Sequence, residues 1–331
     1  MTNPARTKLQ SNRHWAGMLL ALGSAACAGQ PREVLESAPL AQACPKGTPD
    51  DARCWRGQDS AGAHYLIVMP KQWSGVLMVH AHGGPTLGPP EATRADEDIA
   101  RWAITVKEGH AWAGSVFRQG GFAVTTAAED TERVRKICIA HVAKPKRTIL
   151  HGQSWGGMVA TRAAEMYPTS WDGMLLTSGV VGGPTTYDFR VDLRAVYQWL
   201  CNNHPRPAEA GYPVSHGLPT GSTMTSQDLN ARVNECLALN KPAAQRTPEQ
   251  AHKIKTIVDV VRIPEQSIAG HLNWGTNTLQ DVVQRSGGAP FGNATVRYSG
   301  SDNDTALNAG VPRVAADPVA AAKFAQDADH S

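Results

Sequence analysis

The chain has 331 residues, 41% of them hydrophobic, and its 32 lysines and arginines nearly balance its 29 aspartates and glutamates, for a formal net charge of +3. That length accommodates one large α/β domain, or a core with an inserted subdomain. The charge balance excludes a basic footprint for nucleic acid, and no apolar run reaches the roughly 18–20 residues of a membrane span.

Residues 1–28 are predicted to be a secretory signal. Arg6, Lys8 and Arg13 supply its basic region, residues 16–26 a short apolar core, and Ala26-Cys27-Ala28 a small-x-small cleavage site. The mature chain would begin at Gly29 and be secreted or periplasmic. Ser24-Ala25-Ala26-Cys27 offers a second export reading, a lipid anchor through Cys27, although the usual leucine three residues before the cysteine is missing. Export permits disulfides. Cys44 and Cys54 bracket a turn-rich stretch and Cys201 and Cys236 share a later segment, so these are the expected pairs, with Cys138 a buried thiol.

After an irregular stretch over 31–59, two apolar runs at 64–69 and 75–80 predict strands joined as a hairpin. The second runs into Ala81-His82-Gly83-Gly84-Pro85, whose paired glycines let backbone N–H groups approach a ligand. A helix is expected over 99–119, anchored by Trp102, Ile104, Trp112 and Phe117 and stopped by Gly120-Gly121. A strand at 122–126 and a helix at 129–142, with His141 on its face, follow. Then a β-branched run enters Gly152-Gln153-Ser154-Trp155-Gly156, and a helix-forming run over 158–167 leaves it. Gly-x-Ser-x-Gly between strand and helix is the pattern of a nucleophile elbow, a sharp turn that presents one serine. Residues 173–177 read as another buried strand, and the β–α alternation implies a parallel sheet with helices on both faces.

On the elbow and the His82-Gly83-Gly84 loop, the chain resembles the α/β-hydrolase superfamily over roughly residues 63–181. The resemblance implies an α/β fold with a mostly parallel sheet, a core over 29–183, an inserted and mainly helical cap over 184–290, and the start of a C-terminal core portion over 291–331. It also implies that Ser154 is the nucleophile of a carboxylic ester hydrolase. The N–H groups of Trp155 and of Gly83 or Gly84 would form the oxyanion hole. The substrate would be a small ester, with no metal or organic cofactor and no nucleic-acid partner. Oligomeric state is not indicated. Short helices are predicted at 189–200, 226–238 and 248–261. Trp199, Tyr212, Leu272 and Trp274 are candidates for the inner wall of a substrate pocket.

A serine needs a base, and the base an acid, in the chain order Ser, Asp or Glu, His. Beyond the cap the only strand-like run is 294–299, followed by Asp302 and Asp304 as weak acid candidates. A helix with Pro318 in its first turn comes next. His330 is the weak base candidate, and nothing after it would hold it in place. His204, His216, His252 and His271 fall in the cap-like segment as structural or surface residues. Two further core strands are therefore expected beyond this chain. Ser154 is expected to have no histidine partner within it, and the sheet to end at the 173–177 strand or to carry one weak extra strand near Val296. Two alternatives stand beside the esterase reading. One is a peptidase of the proline-iminopeptidase-like type, suggested by the His82–Pro85 loop. The other is an inactive hydrolase fold used for binding.

Overall fold

The computed structural model describes residues 35–84 and 86–328. The predicted export signal, Cys27 and His330 lie outside the described residues. Seven strands form one sheet: β1 (Leu40–Gln42), β2 (Arg53–Gln58), β3 (His64–Met69), β4 (Val76–Ala81), β5 (Ala111–Ser115), β6 (Arg147–Gln153) and β7 (Gly173–Thr177). Their spatial order is β1-β2-β3-β5-β4-β6-β7. The first three pair antiparallel, β3 is antiparallel to β5, and β5, β4, β6 and β7 run parallel. The helices of the core are α1 (Arg94–Trp102), α2 (Ile104–Lys107), α3 (Val124–His141) and α4 (Gly156–Met166).

Strand β3 shows why both sheet faces must be covered. Tyr65, Ile67 and Met69 pack with Val134, Ile137 and Cys138 of α3 on one face. Leu66 and Val68 pack with Ile99 of α1 and Val106 of α2 on the other. Side chains alternate between the faces, so a strand buried on both reads as one continuous apolar run. Burial pushes the free Cys138 thiol up to about 12, which leaves it a small apolar filler.

Three expectations fail in the core. Strands β3 and β4 are not a hairpin, because β5 lies between them. The helix expected over 99–119 ends at Lys107, and residues 111–115 are the buried strand β5. Its Ala-Trp-Ala-Gly-Ser sequence has little strand character. Small residues are what a central strand under a folded-over Trp112 can accept: a Cβ on Gly114 would lie 2.4 Å from the Trp112 ring. The strand expected at 122–126 is instead the entry and first turn of α3. The backbone N–H groups of Val124 and Thr125 donate to the Asp327 carboxylate at 3.1 Å each, so a distant acid caps the helix.

After β7 come α5 (Asp188–Cys201), α6 (Ser226–Leu237), α7 (Pro248–Val261), α8 (Ile268–Ser286), α9 (Asp304–Gly310) and α10 (Pro318–Ala328). Thr225 and Thr247 each close a capping box, which fixes the starts of α6 and α7. Helix α8 was not expected. Its Thr276, Asn277 and Thr278 bond back to carbonyls one turn earlier, so a polar-looking stretch is satisfied inside a helix. The run at 294–299 is not a strand. Tyr298 exchanges backbone bonds with the Asn308 side chain and donates its hydroxyl to Asp192 at 2.7 Å, which ties the segment to α9 and α5. Among the described residues no strand follows β7, and β7 is not the buried strand expected: with no neighbour beyond it, its Met174 and Leu175 are exposed.

Both expected disulfides are present, Cys44–Cys54 and Cys201–Cys236, the second joining the end of α5 to α6. Among the described residues no helix is long and apolar enough to cross a membrane.

Candidate active site

Strand β6 ends at Gln153 and α4 begins at Gly156, so the chain reverses over two residues. Ser154 takes the left-handed conformation, at φ 50°. For a residue with a Cβ this costs roughly 1–2 kcal/mol, and the surroundings hold it there. The Ser154 N–H donates to Thr177 at the end of β7 (3.0 Å), and its carbonyl accepts from Gly157 and Val180 (2.8 Å each). The flanking glycines have no room for a side chain. A Cβ on Gly152 would lie 2.4 Å from the Gly156 carbonyl oxygen, and one on Gly156 would lie 2.1 Å from that of Ala81. The turn is thus pressed against the end of β4, where the loop with His82, Gly83 and Gly84 begins.

That loop is fixed from below. His82 is buried, and its Nδ1–H donates to the Gly83 carbonyl at 2.8 Å. A carbonyl only accepts, so Nδ1 carries the proton. Burial pulls the His82 pKa down to about 4, so the ring is neutral at pH 7. The Arg94 guanidinium lies 3.5 Å from the same carbonyl oxygen. In a trans peptide C=O and N–H point in opposite directions. Pinning the Gly83 oxygen toward His82 and Arg94 therefore sets the direction of the Gly84 N–H.

Beside the loop is a cavity of about 340 Å³, lined among others by His82, Arg94, Phe117, Gln119, Gly121 and Trp155. Phe117 stacks on His82 with ring centroids 4.2 Å apart, and Trp155 is almost fully buried. Phe117, at the end of β5, and Ser178, after β7, also have positive φ, 61° and 49°. Three strained residues thus stand at the carboxyl edge of the sheet, the edge where open α/β sheets bind ligands.

Beneath the elbow runs a buried polar chain that the sequence reading missed. His80 Nδ1 and His151 Nδ1 are 2.9 Å apart, and His151 Nε2 is 2.9 Å from the Thr177 hydroxyl. His80 Nε2 faces Asp98 at 3.9 Å, beyond hydrogen-bond reach, and Arg94 pairs with Asp98 at 3.0 Å. Burial, with the neighbouring His80 charge adding to it, pulls the His151 pKa down to about 4. The gap between the two Nδ1 atoms admits a single proton, so one ring donates to the other. One order that fits the distances has the Thr177 hydroxyl donating to His151, His151 to His80, and the His80 Nε2–H facing the carboxylate. The signal was available: His80 and His151 are polar interruptions in two otherwise apolar strands, and the register places them side by side.

The other expected site residues are not gathered here. The Ser154 hydroxyl has no hydrogen-bond partner among the described residues. Asp304 spends its carboxylate on Gly300 and Ser301 at the start of α9. Asp302 is exposed and lies 3.8 Å from His252 on α7. Neither makes a contact with Ser154. Trp199 abuts Gly310 of α9. Leu272 is buried in the large core cluster, Tyr212 hydrogen-bonds His204, and Trp274 covers Arg190. None of those four lines the cavity beside Trp155.

No protein-family model matches the chain, and no curated protein matches it. Among solved structures, esterase B from Lactobacillus rhamnosis, inhibitor-bound, is 15% identical at a TM-score of 0.34, covering 44% of this chain and 54% of that one. Oligopeptidase B from Trypanosoma brucei is 17% identical at a TM-score of 0.29, covering 38% and 20%. A crystallised esterase mutant is 17% identical at a TM-score of 0.32, covering 70% and 86%. The chain thus spans about half the length of esterase B and a fifth of that of the oligopeptidase. Likeness at this level identifies no activity. The assignment comes from the molecule itself: the strand order, the parallel strands around β6, the left-handed serine between β6 and α4, and the glycine loop at the end of β4 give this chain the α/β-hydrolase fold.

Proposed function

We propose that the chain is a serine hydrolase that cleaves a carboxylic ester through an acyl-enzyme on Ser154. The observation that carries this reading is Ser154 at φ 50° in a turn pressed against the Gly83–Gly84 loop. Strain of that kind persists where a side chain must be presented. The Ser154 oxygen attacks the ester carbonyl carbon. The N–H groups of Trp155 and Gly84 then stabilise the oxyanion. Collapse expels the alcohol, and water releases the acid. We place the protein in an oxidising compartment, in keeping with its two disulfides.

The step that needs a base is proton removal from Ser154. His330 lies outside the described residues, so its role is a matter for experiment. A fluorophosphonate probe should label wild-type protein and leave Ser154→Ala unlabelled. His330→Ala should not alter labelling. Ester hydrolysis in Ser154→Ala should fall below about 1% of wild type, since loss of a nucleophile costs several orders of magnitude. Activity above that level would remove Ser154 from the mechanism. Faster cleavage of a proline anilide than of a short-chain ester would favour the peptidase. A second reading, a hydrolase fold retained for binding, is favoured by the Ser154 hydroxyl having no partner among the described residues. A well-folded protein that the probe leaves unlabelled would support this reading, or a chain that lacks the strands carrying the acid and base.

A further inference from the structure

Helix α5 carries two buried arginines one turn apart, Arg190 and Arg194, exposed at 5% and 2%. They are served differently. Arg194 gives both terminal nitrogens to carbonyls, those of Val214 and Gly217. Arg190 gives only Nη1 to an acceptor, the Thr186 carbonyl at 2.9 Å; the buried Nε of each arginine has no partner among the described residues. Among the described residues no carboxylate pairs with Arg190. Burial pulls its pKa down, and the group that opposes this is the Tyr187 hydroxyl rather than an acid. The guanidinium is held instead by three aromatic faces, Tyr187 at 4.9 Å, Phe189 at 4.6 Å and Trp274 at 4.8 Å.

Such a charge is unfavourable to bury without a counter-ion. It is linked to the candidate site through packed aromatic rings. Val180, whose N–H holds the Ser154 carbonyl, leads directly into the turn that carries Tyr187. Trp155, Phe122, Tyr187 and the Arg190 guanidinium form a continuous chain of ring contacts, at 6.1, 5.8 and 4.9 Å. Trp274, on the outer side, is 37% exposed.

We propose that Arg190 with its cage of Tyr187, Phe189 and Trp274 binds a carboxylate carried by the substrate. The preferred ester would then be a half-ester of a dicarboxylic acid, or an ester with a carboxylate on its alcohol side. A planar guanidinium fork matches a carboxylate bidentately, and aromatic walls favour an organic anion over a hydrated inorganic one. That the anion belongs to a substrate rests on the hydrolase reading; that Arg190 binds it does not.

The test has a binding arm and a kinetic arm. In the binding arm, tryptophan fluorescence is titrated with glutarate, with its neutral diamide and with inorganic phosphate. Wild type should respond saturably to glutarate only. Arg190→Gln should bind glutarate at least about tenfold more weakly, the loss expected for a charge-assisted hydrogen bond, with Arg190→Lys in between. In the kinetic arm, the ratio of kcat/KM for 4-nitrophenyl hydrogen glutarate over 4-nitrophenyl butyrate should fall about 10–100-fold in Arg190→Gln. If that variant does not fold, the wild-type titration still decides. No saturable response to glutarate, or an equal response to the diamide or to phosphate, would overturn the proposal. Glutarate binding without hydrolysis of either ester would uphold the anion site and count against the hydrolase.

Discussion

Ser154 can be separated from its neighbours by what two substitutions do to stability. Ser154→Ala keeps the Cβ and so the strain, and should leave the melting temperature near wild type. Ser154→Gly removes the left-handed penalty and should stabilise the fold relative to alanine by about 1 kcal/mol. A glycine variant less stable than the alanine variant would show that the turn is not strained. The buried histidines make a second residue-scale prediction. His82 and His151 are held near 4 and His204 near 3, burial being the first cause in each case. Below the unfolded value of 6.5 the unfolded chain binds protons that the folded one refuses. Stability should therefore fall as pH drops from about 6.5 toward 4, His82 alone contributing about 2 kcal/mol at pH 5. Urea midpoints at pH 7.5 and pH 5 measure this, and equal midpoints would contradict it. At this scale the serine and its glycines were legible because the turn that needs them is local. The His80–His151 pair was not, because only the strand register brings residues 71 apart in sequence into one hydrogen bond.

Elements repeat that division. Helices α6 and α7 carry their own start signals, Thr225 with Asp228 and Thr247 with Gln250, and were readable almost to the residue. The entry to α3 was read as a strand because Val124, Thr125 and Thr126 are β-branched and their cap, Asp327, comes from α10. Asp327→Ala should destabilise the fold by about 1 kcal/mol, seen as a lower thermal midpoint; no change would show that α3 does not depend on this cap. Strand β7 is the other element with an exposed consequence. It closes the described sheet on that side, and its Met174 and Leu175 are 45% and 47% exposed. An apolar strand edge is a template for pairing with other chains. Met174→Lys should reduce light scattering on heating without lowering the fluorophosphonate labelling rate. Unchanged scattering would clear this edge as the source of association.

Across the whole molecule, the two disulfides serve different parts. Cys44–Cys54 closes a separation of 10 residues beside the sheet, and Cys201–Cys236 one of 35 in the helical region. By loop-closure entropy they contribute roughly 3 and roughly 4 kcal/mol. Cys201→Ala with Cys236→Ala should therefore lower the midpoint more than the equivalent Cys44 and Cys54 pair. The helical region is also stitched to the sheet at one short segment. The Phe122 N–H donates to Asp281 of α8 at 2.6 Å, Arg285 of α8 bonds the Gly120 carbonyl, and Asp327 of α10 takes two N–H groups of α3. Gly120 and Gly121 line the cavity beside Trp155. A hinged cover would have to break all of these bonds each time a ligand entered or left. The cavity should therefore exchange its contents through small local fluctuations at a fixed mouth. Association rates would then depend only weakly on solvent viscosity, and loosening the stitch with Asp281→Ala would speed release more than it weakens capture.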